Sequence, residues 1–151
     1  IAQSFHEKYR EHNQSKRSPT DPSMLPWDKL SKDLKESNRQ QASDIPKKLQ
    51  FIHYTLAPKT LSDIALFEFK PQEIDFLAKQ EHIRFVKERK EAGWILGPER
   101  DPENKISPYL IPWNKLKKDV KDIDRSAIQD IPKIVDKAGF QIIALPKGKG
   151  C

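Results

Sequence analysis

Cysteine is almost missing from this chain of 151 residues: there is one, Cys151, at the last position. That excludes an intrachain disulfide, and no Cys/His spacing of the zinc-binding kind occurs. No apolar run approaches the roughly 18 residues of a membrane span. No leader pattern of a basic start, an apolar stretch and small residues opens the chain. A reducing, cytoplasmic setting without direct membrane insertion is the expectation. Glycine is scarce, with five residues, and Gly93 to Gly97 is too short for a phosphate-cradling loop of the Walker type. There is no His-Glu-x-x-His, and Ser37 and Ser126 have no evident base. A non-enzymatic protein with no cofactor and no metal is expected. Runs of five or six like charges are also missing, although Lys and Arg number 28 against 22 acidic residues. The net charge of +6 therefore reads as solvated helix faces, and nucleic acid is an unlikely partner. The chain starts at Ile1 without Met, and the expectation is a fragment of a larger protein.

What is present is a repeat. Leu25-Pro26-Trp27-Asp28-Lys29-Leu30 returns as Ile111-Pro112-Trp113-Asn114-Lys115-Leu116, offset by 86 positions. The same register aligns Lys32-Asp33-Leu34-Lys35 with Lys118-Asp119-Val120-Lys121, Arg39 with Arg125, and Asp44-Ile45-Pro46-Lys47 with Asp130-Ile131-Pro132-Lys133. Over residues 25–54 against 111–140, 12 of 30 positions are identical without a gap. A duplicated segment of this length sets the architecture. Hydrophobic residues make up 36% of the chain and charged residues 33%, so two copies share one small core more readily than they build two. The expectation is one domain over residues 1–151, with repeat 1 at about 1–58 and repeat 2 at about 64–145. The copies should face each other across a pseudo-twofold axis, with a groove between them.

Periodicity fills in the elements. Ala2, Phe5, His6 and Tyr9 make one stripe of a helix over 2–12. Pro19 and Pro22 punctuate a polar loop, and Pro26 holds its segment extended. A helix over about 32–52 follows, with Leu34, Asn38, Gln41, Ala42, Ile45, Leu49 and Ile52 inward. Pro46 either kinks it or marks a restart capped by Asp44, and Pro132 poses the same choice in the second copy. Ile64 to Phe69 reads as a strand. Pro71 opens a helix to about Glu91 on which Ile74, Ala78, His82 and Phe85 share a face, so that His82 matches His6 and Phe85 matches Tyr9. The second copy carries ten extra residues before its Pro-Trp. A last helix over about 118–138 ends at Gly139, then Gln141 to Leu145 forms a strand and 147–151 a frayed tail. The fold class is mainly α with short β segments: two helical hairpins packed as one domain.

Read in order, the second copy has His82, Gly93-Trp94-Ile95-Leu96-Gly97, Arg100-Asp101, Pro108-Tyr109-Leu110, Pro112-Trp113-Asn114-Lys115-Leu116, Asp124-Arg125 and Gly139-Phe140. This resembles the RyR domain, the repeat found in tandem pairs in ryanodine receptors. It also occurs in bacterial and archaeal proteins, some of which join it to a TrkA-type NAD-binding domain, and the likeness here is to a tandem RyR domain of that prokaryotic type. The resemblance is strong over residues 82–140 and weaker over 6–54. The first copy keeps His6, Pro26-Trp27, Arg39 and Tyr54, but lacks the Gly-Trp turn and the Arg-Asp. The resemblance implies a pseudo-symmetric pair of hairpins with a cleft for an adenine nucleotide or a flat aromatic compound. With one Gly-Trp turn, a symmetric aromatic clamp is not expected.

Candidate ligand residues follow from position. Trp94 lies in a loop, where its flat face can stack on a purine, a contact worth about 1–3 kcal/mol. Arg100 and Lys105 share that loop and suit phosphates, with Asp101 beside them. The bland alternative has Trp94 sealing the hairpin and Arg100 paired with Asp101. Trp27 and Trp113 occupy equivalent places and either pack the unit or border the cleft. Arg39 and Arg125 read as structural, paired with Asp33 and Asp119 or with loop backbone, and His6 and His82 as hydrogen-bonded core histidines. The functional expectation is a regulatory module that senses an adenine-containing nucleotide or a cyclic ADP-ribose-like ligand and signals to an attached or partner channel or transport protein. A protein-interaction module with no small ligand is the first alternative and weak nucleic-acid binding the second.

Overall fold

Five α-helices among the described residues set the architecture of this computed structural model, which describes residues 1–60 and 66–146. The first is helix α1 (Ala2–Asn13), whose buried face carries Phe5 and His6. Helix α2 (Lys32–Ser43) starts at Ser31, which accepts a hydrogen bond from the Leu34 amide, an N-cap that satisfies one otherwise unpaired donor. Pro46 does restart the helix: α3 (Ile45–Phe51) begins at Asp44. The Asp44 carboxylate does not cap it but pairs with Lys48 Nζ at 2.7 Å. Pro132, its counterpart, lies inside an unbroken helix, α5 (Lys118–Lys137). The duplicated proline therefore acts differently in the two copies. Helix α4 (Pro71–Glu91) has the bounds its periodicity predicts.

Short strands close the chain. β1 (Tyr54–Pro58) pairs antiparallel with β4 (Phe140–Ala144), with Leu56 opposite Ile142, Tyr54 opposite Ala144 and Pro58 opposite Phe140. β2 (Ile95–Leu96) and β3 (Ile106–Ser107) form a second, parallel pair. The expected strand at 64–69 is not seen over Leu66 to Phe69, and residues 64 and 65 lie outside the described residues, as does the expected tail at 147–151. Phe67 instead packs edge-on against Tyr54 at 4.9 Å and Phe69 at 5.0 Å. Those rings are spent on packing, and the edge of β1 is taken by β4.

The core draws on both halves of the sequence. Phe5, Ile45 and Leu49 meet Leu77, Ile131 and Val135 in one buried cluster. On α5, Ile128, Ile131 and Val135 fall at i, i+3 and i+7, the stripe of a helix packed on one side. Contacts also recur between the copies. His6 Nε2 meets the Leu25 carbonyl at 2.5 Å, and His82 Nε2 meets the Ile111 carbonyl at 2.6 Å. Both histidines are buried, in the hydrogen-bonded core role that their apolar faces predict. The arrangement is mainly α with short β segments, and no described helix is long and apolar enough to cross a membrane.

Candidate functional site

The end of α4 determines where Trp94 sits. Gly93 adopts φ of 92°, a left-handed conformation that a Cβ disfavours. Its amide donates to the Lys90 carbonyl at 3.1 Å, and the Trp94 amide donates to the Arg89 carbonyl at 2.9 Å. This pair of bonds is the Schellman cap, which brings the residue two past the cap back over the last turn. Trp94 is thereby folded onto Arg89, whose guanidinium carbon lies 5.2 Å from the Trp94 ring and 4.8 Å from the Phe85 ring. Arg89 Nη1 also donates to Glu88 at 2.5 Å and to Ser37 Oγ of α2 at 3.2 Å. Burial pulls the Arg89 pKa below its ordinary value despite Glu88. Trp94 keeps part of its surface in solvent.

The loop beyond Trp94 is fastened at both ends. Gly97 passes so close to Ile106 that a Cβ there would meet its Cγ2 at 2.3 Å. Asp101 accepts from the Asn104 amide at 3.3 Å and from Asn104 Nδ2 at 2.7 Å, and these bonds hold its carboxyl below the usual range. Lys105 takes φ of 56° and reaches the Ala92 carbonyl with Nζ at 2.9 Å, a cation at the negative end of α4.

Arg100 crosses to the first copy, where it pairs with the Asp21 carboxylate and donates to Ser23 Oγ at 3.2 Å. Its partner is Asp21, not the neighbouring Asp101. Burial alone would raise the Asp21 pKa, but the bonds from Arg100 and Ser23 outweigh it and lower it. Ser23 Oγ is also within 3.1 Å of the Tyr9 hydroxyl.

Trp27 and Trp113 each have their own set of neighbours. Trp27 is tilted against His6 at 6.2 Å, with Lys35 and Arg39 over its ring at 5.6 and 5.8 Å. Trp113 is tilted against His82 at 6.0 Å, with Lys121 and Arg125 at 5.4 and 5.7 Å. Among the described residues, no ring contact joins either to Trp94. Both are half-buried, and Trp113 packs against the core. The arginines above them do not pair with Asp33 and Asp119. Arg39 faces Glu36 at 3.8 Å, and Arg125 bonds Asp75 at 2.7 Å and Asp122 at 2.9 Å. Stacking on the ring fixes where each guanidinium can reach.

A buried charge group ties α3 of the first copy to α4 of the second. Lys48 Nζ of α3 meets Glu81 Oε1 of α4 at 2.9 Å, and Arg84 forks onto both Glu81 oxygens at 2.8 Å. Burial would push the Glu81 carboxyl up, but the charges and hydrogen bonds of Lys48 and Arg84 outweigh it and hold its pKa at about 2. Asp124 lies 3.9 Å from His82 Nδ1. Burial, with the like charge of Glu81, raises its pKa well above the carboxylate range. The described residues contain no cluster of three or more His, Cys, Asp or Glu side chains that could hold a metal ion.

Four of the six expected site residues, Trp94, Arg100, Asp101 and Lys105, thus share one loop, while Trp27 and Trp113 do not join them. Arg89, Ser37, Asp21 and Ser23 complete the junction and were not anticipated. Arg89 was legible, because a glycine cap folds the following residue onto that helical position. A family model described as RyR domain matches residues 54–144 of the chain.

Proposed function

Starting from the chain's membership of the RyR domain family, whose model spans more than half of it, we propose that it is a non-enzymatic regulatory module that binds an adenine-containing nucleotide where the two copies meet. The observation that carries this reading is Trp94. It is a partly exposed loop tryptophan, held by a helix cap at a junction that Arg89 and Arg100 tie to the first copy. A purine would stack on the face of Trp94 that Arg89 leaves open. Lys105 and the guanidinium edge of Arg100 would meet the phosphates, with Asp101 holding the loop's shape. Arg100 already serves Asp21, so a phosphate would compete with that carboxylate. The competition gives the ligand a preference between two arrangements of the loop, which a switch requires.

In this reading the copies are related by an approximate twofold axis through the Leu56–Ile142 pair. The register supports it: the 86-residue offset makes Leu56 and Ile142 counterparts, and likewise Tyr54 with Phe140 and Pro58 with Ala144. A prokaryotic tandem arrangement, cytoplasmic and attached to a channel or to a transport regulator with a TrkA-type NAD-binding domain, completes the proposal.

Calorimetry with ATP, ADP-ribose and cyclic ADP-ribose tests it. Saturable heat that Trp94→Ala abolishes supports the sensor. No heat with an unaltered melting temperature favours a protein-interaction module, a reading supported by the exposed Phe51–Phe76 pair, edge-on at 5.8 Å.

A further inference from the structure

The chain has seven arginines, and five of them face a carboxylate: Arg39, Arg84, Arg89, Arg100 and Arg125. The remaining two, Arg10 and Arg17, have no carboxylate partner among the described residues, and both line the same groove. That groove has a volume of about 290 Å³ and is walled by Arg10, Gln14, Arg17, Pro19, Met24 and Pro26. None of these residues is acidic. The acids on α1 are engaged elsewhere, Glu7 with Gln3 at 3.1 Å and Glu11 with Lys8 at 3.4 Å.

Both guanidinium groups are positioned by the fold. Arg10 Nε donates to the Met24 carbonyl at 3.0 Å, which fixes its head against the loop after α1. The Arg17 amide closes the end of α1 by donating to the Asn13 carbonyl at 3.1 Å. Its guanidinium carbon lies 5.8 Å from the Tyr9 ring. Arg17 Nε is shut off from solvent and has no hydrogen-bond partner among the described residues. A charged group that is partly desolvated and unpaired costs free energy, which a bound counter-charge offsets. Two guanidinium forks with a glutamine amide beside them match the oxygens of a multiply charged anion.

We propose that this groove, at the C-terminal end of α1, is a binding site for a multiply charged oxyanion, held by Arg10 and Arg17 with Gln14 as an additional donor. It shares no lining residue with the Trp94 loop, so it stands independently of the nucleotide reading. The ligand class is a phosphoryl or polycarboxylate group, and Pro19, Pro26 and Met24 line the groove beside it.

The test is calorimetric titration of the whole chain, at fixed ionic strength, with inorganic pyrophosphate and with citrate. Neither carries a base to stack on Trp94, so a failed nucleotide site leaves this test unaffected. At least one anion binds saturably, and Arg17→Gln and Arg10→Gln each weaken binding roughly tenfold, the factor of one charge-assisted hydrogen bond. Lys79→Ala, which removes an exposed charge on α4, leaves it intact. Binding of pyrophosphate alone identifies a phosphoryl site, of citrate alone a carboxylate site, and of both a general oxyanion site. Should Arg17→Gln fail to fold, the Arg17 Nε–H resonance of the unmodified chain still reports, shifting as the anion saturates. Absence of binding by both anions, or affinity and resonance indifferent to Arg17, overturns the proposal.

Discussion

Gly97 shows how much one atom decides in the Trp94 loop. Gly97→Ala would set a Cβ 2.3 Å from Ile106 Cγ2, so the Ile106 side chain or the β2–β3 pair must shift. Urea unfolding should show a loss of about 1–3 kcal/mol, the usual cost of overpacking. Gly93→Ala fails for a different reason: its surroundings are open, but φ of 92° costs a residue with a Cβ about 1–2 kcal/mol. The sequence announces both glycines through the Gly-Trp-x-x-Gly spacing, and with them the position of Trp94. It does not announce the partner of Arg100. Asp101 is adjacent in the chain, but its carboxylate is used within its own turn by Asn104. Asp21, 79 positions away, is brought near only by tertiary packing.

At the scale of elements, the α3–α4 contact rests on Lys48 and Glu81. Glu81→Gln leaves Lys48 buried with weaker compensation and should cost about 3 kcal/mol near neutral pH. The pH dependence has a definite sign. Glu81 holds its carboxyl at about 2 in the fold against an ordinary 4.5, so the unfolded chain takes up the proton first. The stability it contributes is present above pH 4.5 and is lost as pH falls toward 2. Asp124 acts oppositely. Its folded pKa lies above the ordinary 3.8, so its contribution is present at low pH and lost as pH rises through that folded value. Denaturant midpoints against pH should show Glu81→Gln flattening the loss below pH 4.5, and Asp124→Asn removing the loss on the rising side. Helix periodicity made α4 and α5 legible to within a residue or two. It could not locate this charge group, since Lys48 reads as an ordinary polar position of an amphipathic helix. Nor could it decide Pro46, whose restart depends on α3 turning to bring Lys48 to Glu81.

For the whole molecule, the pairing of β1 with β4 and the buried cluster drawn from both halves predict one cooperative unfolding unit. A fragment over 54–146 keeps both strands but loses Phe5, Ile45, Leu49 and Lys48, leaving Leu77, Val135 and Glu81 uncovered. Its circular-dichroism melt should be broad and shifted down; a cooperative transition at the temperature of the full chain would show that the halves fold separately. The duplication was legible because Pro-Trp and Asp-Ile-Pro hold one register. Strand β1 was not, because its partner lies over 80 residues on and two-stranded pairing leaves little local signature. The most direct measurement uses Trp27→Phe with Trp113→Phe, a chain in which Trp94 is the only tryptophan and is excited selectively over the three tyrosines. Titrated with ATP, its emission should change saturably as the adenine stacks, whereas emission that stays flat to millimolar ATP in a folded protein would contradict a nucleotide site at Trp94.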